Sequence, residues 1–152
     1  LKKGARGWGH MNKIFSLVER NSKIRSFHVE KVTGKTLKPI IQKHIKKDIH
    51  IVTDDFRSYH GLNKHFDNHS VICHSRGEYV RGLIYTNTIE NFFSILKRGL
   101  VGVYQHCGSQ HLKRYIGEFD FRYNHRNATD KERYAFALRG IVGKRLFYRT
   151  HL

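Results

Sequence analysis

The stretch Thr86-Asn87-Thr88-Ile89-Glu90-Asn91-Phe92-Phe93-Ser94-Ile95-Leu96-Lys97-Arg98 sorts into two faces when wound as a helix. Ile89, Phe92, Phe93 and Leu96 fall at i, i+3, i+4 and i+7, the period of a buried apolar stripe. The adjoining stripe carries Asn87, Glu90, Asn91 and Ser94 and ends in Lys97 and Arg98. A carboxylate therefore shares a polar face with two cations, an arrangement able to hold a metal ion beside a phosphate. Asn87 and Glu90 also have the spacing of a capping box, in which each side chain satisfies a backbone donor. On this stretch alone the cap is the preferred reading, and a functional role needs support from elsewhere in the chain.

Working outward, residues 13–20 and 23–30 each hold an apolar run, Ile14 to Val18 and then Ile24, Phe27 and Val29. Turn residues Arg20-Asn21-Ser22 lie between them, so an antiparallel hairpin is expected. Leu37, Ile40, Ile41 and Ile45 predict an amphipathic helix over 36–47, with Thr36 as N-cap and Pro39 in the first turn. His50 to Thr53 and Ser70 to Cys73 read as short strands, with a short helix around Tyr59 to Phe66 between them. Beyond the central helix come a glycine-rich loop, Gly99 to Gly108, and a helical period of Leu112, Tyr115, Ile116, Phe119 and Tyr123. Thr129 and Glu132 form a second capping-box pattern ahead of Ala135, Phe136 and Leu138. This order predicts an α/β domain. Gly4, Gly7 and Gly9 among Lys2, Lys3 and Arg6 make residues 1–11 a basic loop.

The charge narrows the partner. Lys and Arg number 29 against 12 Asp and Glu, a formal net charge of +17 before any of the 12 histidines protonates. Solubility alone needs far less. A surplus of this size, spread from Lys2 to Arg149 and interleaved with Tyr and Phe, points to a polyanion, nucleic acid ahead of an acidic membrane surface. No run approaches the roughly 18 apolar residues of a spanning helix, and the first residues lack the apolar run of a signal peptide. The expectation is a soluble, cytoplasmic, nucleoid-associated protein without a small-molecule substrate. Cys73 and Cys107 make neither a disulfide framework nor a zinc pair and read as ordinary thiols.

Ile51-Val52-Thr53-Asp54 ends a strand in a carboxylate, at the edge where ligand sites of open α/β sheets lie. Paired with Glu90 across such an edge, Asp54 would suit Mg²⁺ or Mn²⁺, since hard cations take oxygen ligands and leave positions for substrate phosphate. Taken alone, Asp54-Asp55 is more simply a turn carboxylate.

Several blocks together carry a resemblance: Thr53-Asp54-Asp55-Phe56-Arg57-Ser58-Tyr59 with Gly61-Leu62; His74; Gly77-Glu78-Tyr79-Val80; Thr86 to Ser94; Leu96-Lys97-Arg98-Gly99; Gly102-Val103-Tyr104; and Glu118-Phe119 to Arg122-Tyr123-Asn124. In content, order and spacing they resemble the catalytic domain of bacterial insertion-sequence DDE transposases of the ISXO-like branch, over about Asn12 to Asn127. The resemblance implies a ribonuclease-H-like mixed sheet flanked by helices, and a three-carboxylate, two-metal site that cuts and joins DNA. It makes Asp54 similar to the second catalytic aspartate and Glu90 to the catalytic glutamate, both metal ligands, with Asn87 a polar partner one turn earlier. Asp55 is then a neighbour. Lys97 and Arg98 are implied DNA contacts, joined by Arg57, Lys113, Arg114 and Arg122. Family analogy adds a homo-oligomer acting on transposon ends and target DNA.

In the family the first aspartate lies on a central strand just upstream of a glycine-rich basic loop, the loop in which Leu1 lies. The expectation is a catalytic core at 12–127, N-terminally incomplete and without its first, central strand, followed by a helical extension at 128–152. Such a remnant would bind DNA while cleaving slowly or not at all. The alternative is a basic nucleic-acid-binding module without chemistry. A membrane-surface reading rests only on helix 36–47 and ranks below both. His106, His111 and Cys107 match no tetrahedral zinc pattern, His74 reads as a loop histidine, and Trp8 is open to stacking on a base or packing in the core.

Overall fold

The computed structural model describes residues 12–77, 80–81, 84–105 and 107–144. The basic loop at 1–11 with Trp8, His106 and the last residues of the C-terminal extension lie outside the described residues. Strands β1 (Lys13–Val18) and β2 (Ile24–Val29) form the expected antiparallel hairpin. Asn21 takes the left-handed conformation (φ 58°) in its turn, which asparagine tolerates better than most residues.

The hairpin is apolar on both faces. Phe15, Leu17, Phe27 and Val29 point to one side and pack with Leu37, Ile41, Ile51, Leu62 and Phe66 in the first core cluster. Ile14, Val18 and Ile24 point to the other and pack with Phe92 and Leu96 in the second. Strand alternation alone produces this division, since successive side chains leave opposite faces.

Helix α1 (Gly34–His44) covers the first face and buries Leu37 and Ile41. It begins earlier than the sequence pattern indicates. Thr33, not Thr36, is the N-cap residue; its carbonyl accepts from the N–H groups of Thr36 and Leu37, and the two threonine hydroxyls meet at 3.1 Å. Pro39 consequently sits inside the helix, beyond the first turn, where it removes one backbone donor.

Strands β3 (Ile51–Asp54) and β4 (His69–Ile72) pair in parallel, Asp54 opposite Ile72. A crossover over residues 55–68 joins them, as parallel pairing requires. The helix expected there is two short 3₁₀ turns, Arg57–Tyr59 and Leu62–Lys64, separated by Gly61 at φ 82°. A two-residue antiparallel pair, β5 (Val80–Arg81) and β6 (Ile84–Tyr85), leads into α2. The α/β class is as expected, but among the described residues the strands form three two-stranded sheets in place of one mixed sheet.

Helix α2 (Asn87–Arg98) buries Phe92 and Leu96, half-buries Ile89 and Phe93, and exposes Asn87, Glu90, Asn91, Ser94, Lys97 and Arg98. The two-faced reading of this stretch therefore holds. The expected loop after it opens as a π-helical turn, Gly99–Val103. A Cβ at Gly99 would lie 2.2 Å from the Phe119 ring, so glycine permits the approach of helix α3 (Leu112–Asn124).

Two side chains of α3 then occupy the outer edge of β2. Asn124 Oδ1 accepts from the Ile24 N–H at 2.7 Å while its Nδ2 donates to the Ile24 carbonyl at 3.0 Å. The Asp120 carboxylate accepts from the N–H and the hydroxyl of Ser26, each at 2.7 Å. Helix α4 (Asp130–Ile141) starts at the expected Thr129–Glu132 capping box. It buries none of its residues and exposes Tyr134, Phe136, Leu138 and Ile141. Among the described residues no helix is long and apolar enough to cross a membrane.

Two outcomes follow from this packing. Gly99→Ala should lower stability by about 1–3 kcal/mol through overpacking. Gly117→Ala, where an added Cβ meets nothing within 4 Å, should be neutral or stabilise by about 0.5–1 kcal/mol through helix propensity. Urea midpoints compare the two; equal effects would refute the Gly99–Phe119 contact. At the latch, Asp120→Ala should cost about 1–2 kcal/mol by stranding the Ser26 N–H, whereas Asp120→Asn keeps an acceptor and should cost less. Burial, opposed by the Ser26 bonds, raises the Asp120 pKa above its ordinary 3.8. Its contribution to stability is therefore complete below that value and is lost as pH rises through the raised one. Urea midpoints measured across that window should fall more in the wild type than in Asp120→Asn.

Candidate functional site

The end of β3 and the start of α2 supply the carboxylates. Asp54 closes β3, and its Oδ1 accepts from the Phe56 N–H at 3.1 Å, an Asx turn that bends the chain out of the strand. Burial, with the charge of Asp54 second, pushes the Tyr59 hydroxyl up to about 12, so that ring stays neutral beside the strand end. Asp55 Oδ2 accepts from the Ser75 hydroxyl at 2.5 Å. That bond, ahead of the nearby His74, holds the Asp55 carboxyl below its ordinary value.

Parallel pairing explains why Ser75 is there. Asp54 stands opposite Ile72, so the chain leaving β4 runs beside the chain leaving β3 and enters the 3₁₀ turn His74–Arg76. His74, in the same turn, reaches toward α2. Its Nε2 lies 3.3 Å from Glu90 Oε1 and 3.1 Å from Thr86 Oγ1. Thr86 Oγ1 donates to Glu90 Oε1 at 2.6 Å. One short turn thus touches the strand-end acidic pair through Ser75 and the helix glutamate through His74.

The preferred cap reading of Asn87 and Glu90 is overturned here. Thr86, not Asn87, is the N-cap residue, and its side chain makes no cap bond to the backbone. Asn87 is the first helical residue, so Glu90 lies outside the reciprocal geometry and its carboxylate turns to Thr86 and His74. The Glu90 side chain is 54% exposed, open on the polar face of α2.

The cations fall into two groups. Lys97 and Arg98 are exposed further along the face that carries Glu90, and Arg57 is exposed in the turn after Asp55. Lys113 and Arg114 are exposed on the first turn of α3. Arg122, although exposed, is committed: its Nε and an Nη donate to Glu118 Oε1 at 2.9 and 2.8 Å. The other Glu118 oxygen accepts from the Tyr104 hydroxyl at 2.6 Å. These bonds, Tyr104 first, hold the Glu118 carboxyl below its ordinary value.

No hydrogen bond or ion pair joins Asp54 to Glu90 among the described residues, and none of those residues form a cluster of three or more His, Cys, Asp or Glu able to hold one metal ion. The oxygen donors of Asp54, Asp55 and Glu90 are nonetheless of the kind a hard cation takes. His74, read from sequence as a loop histidine, and Ser75 went unrecognised as the link between strand and helix. The available signal was the register of two short strands, which puts the residues after β4 next to those after β3. Neither cysteine is in a disulfide, and burial pushes the Cys107 thiol up.

The model of the ISXO2-like transposase domain matches residues 1–124, ending with the last residue of α3. An uncharacterized transposase-like protein of Haemophilus influenzae is 33% identical over 102 residues, covering 67% of this chain and 81% of that protein. No solved structure matches. With every described element from β1 to α3 inside the matched region, the chain belongs to the ISXO2-like transposase family.

Proposed function

We propose that this chain is the DNA-handling core of an insertion-sequence transposase, serving metal-dependent strand cleavage and transfer on a ribonuclease-H-like fold, as a homo-oligomer on paired DNA ends. Asp54 and Glu90 are the carboxylates that hold Mg²⁺ or Mn²⁺, with Asn87 a polar partner on the same helix. The observation that carries this is the exposed Glu90, tied through His74 and Ser75 to the acidic end of β3 and followed on its own face by Lys97 and Arg98. A bound divalent cation would activate an attacking oxygen and stabilise the leaving one.

The residues of the chain supply position and charge. His74 and Thr86 orient one oxygen of Glu90 and leave the other available. Ser75 orients Asp55 through Oδ2. Lys97, Arg98, Arg57, Lys113 and Arg114 offer phosphate contacts, and a net charge of +17 draws DNA to that surface. One observation favours the second reading, a basic nucleic-acid module without chemistry: Asp54 Oδ1 already has a structural task in the Asx turn.

Mn²⁺ titration followed by electron paramagnetic resonance separates the two readings. Asp54→Ala and Glu90→Ala should each weaken Mn²⁺ binding at least tenfold while leaving duplex DNA affinity unchanged or raised, since each removes a negative charge near phosphate. If neither substitution alters Mn²⁺ binding, the carboxylates are structural and the non-enzymatic module is correct. For the cations, the Lys97→Ala, Arg98→Ala double variant should reduce the slope of log affinity against log salt by about 2, one for each lost phosphate contact. An unchanged slope removes both residues from the DNA surface.

A further inference from the structure

A cleft of about 880 Å³ opens between α2, the π-helical turn and α3, beside the face that carries Glu90. Its lining combines the rings of Tyr104, Phe119 and Tyr123 with the guanidinium groups of Arg98, Arg122 and Arg126. Asn87 and Asn91, which flank Glu90 on α2, also reach it, and among the described residues no acidic one lines it.

The rings are held in place before any ligand arrives. Tyr104 is anchored by its hydroxyl to Glu118, which Arg122 grips with two bonds, and its ring meets Tyr115 edge-on at 4.6 Å. Tyr123 packs edge-on against buried Phe92 at 5.6 Å and carries the Arg126 guanidinium over its ring at 4.3 Å. Arg126 in turn donates to the carbonyls of Ser22 and Tyr123. Rigid aromatic rings beside fixed guanidinium groups suit a planar, apolar group attached to an anion.

A nucleobase with its phosphates has that chemistry. A base still stacked in a duplex cannot offer its faces to a cleft, whereas an unpaired one can. An apolar peptide helix is the poorer occupant, because it would bury the Arg98 and Arg126 guanidinium groups without anions to pair them. We infer that the cleft receives an unstacked base of a DNA single strand, with Arg98 and Arg126 taking the flanking phosphates. This rests on the DNA-handling reading above and adds a subsite to it: the base lies next to the strand segment that reaches Glu90.

Fluorescence anisotropy with two labelled single strands of equal length tests it, one intact and one abasic at its central positions, so that phosphate number is constant. The wild type should bind the abasic strand about tenfold more weakly, the loss expected for one stacked base. Tyr104→Ala should abolish that difference, and Tyr104→Phe, which keeps the ring, should retain most of it. Equal affinity of the wild type for both strands overturns the inference, as does an undiminished difference in Tyr104→Ala. Photo-crosslinking of the wild type to a strand carrying 5-iodouracil requires no variant. Adducts should map to residues 87–104 or 119–126, and adducts confined to other peptides overturn the inference. Failure of the DNA-handling reading looks different, since neither strand would then bind with salt dependence.

Discussion

A two-stranded sheet that is apolar on both faces cannot stand in water, and the rest of this structure answers that constraint. The β1–β2 hairpin turns Phe15, Leu17, Phe27 and Val29 toward α1 and β3, and Ile14, Val18 and Ile24 toward α2. It is therefore the wall between two cores. Among the described residues the first core gathers seven buried side chains and the second three, and neither closes without the hairpin. Burial of a side chain the size of leucine or phenylalanine contributes about 1.5–3 kcal/mol. Exposing either face would thus forfeit several such contributions at once, more than a domain of ordinary stability can lose.

Covering the faces leaves the edges. An antiparallel strand directs alternate N–H and C=O groups away from its partner, and on β2 these belong to Ile24 and Ser26. The fold satisfies both groups of Ile24 and the N–H of Ser26 with side chains where another strand would usually serve. The Asn124 amide reproduces the donor and acceptor of a neighbouring peptide group at Ile24, and Asp120 receives the Ser26 N–H. This latch sets the position of α3 along β2. It thereby determines where Phe119 meets Gly99, and so how the π-helical turn leaves α2. A hydrogen-bonding requirement at one strand edge propagates to the shape of the cleft on the far side of the second core.

How much of this was legible in the sequence depends on the range of the interaction. The hairpin, the two-faced α2, the period of α3 and the Thr129 cap are local patterns, and their residues occupy the expected faces. Local chemistry misled where two motifs competed for the same residues. Thr33 and Thr36 both suit the N-cap of α1; Thr33 took the position, which drew Gly34, Lys35 and Thr36 into the first turn. At α2, Thr86 and Asn87 are both suitable caps; Thr86 took the position, which released Glu90 from the backbone and left it facing His74. The link between Glu90 and the strand end was invisible for another reason. It depends on the parallel register of β3 and β4, a nonlocal property that sequence periodicity does not carry. The same holds for Asp120 and Asn124, which read as unremarkable polar residues on a helix until their partners some hundred positions earlier are known.

Helix α2 unites these threads because each of its faces has a different neighbour. Phe92 and Leu96 close the second core and fix the helix in rotation. With that rotation set, Glu90 is directed toward the turn after β4, and Asn87, Asn91 and Arg98 toward the cleft shared with α3. Helical geometry keeps these sides about one residue's rotation apart, so a strand of DNA passing along the polar face would meet the carboxylate and the aromatic cleft in succession. The buried stripe therefore carries more than stability. Any change in the side chains that seat α2 on the hairpin rotates both sites together, which ties the geometry of the proposed chemistry to the packing of Phe92.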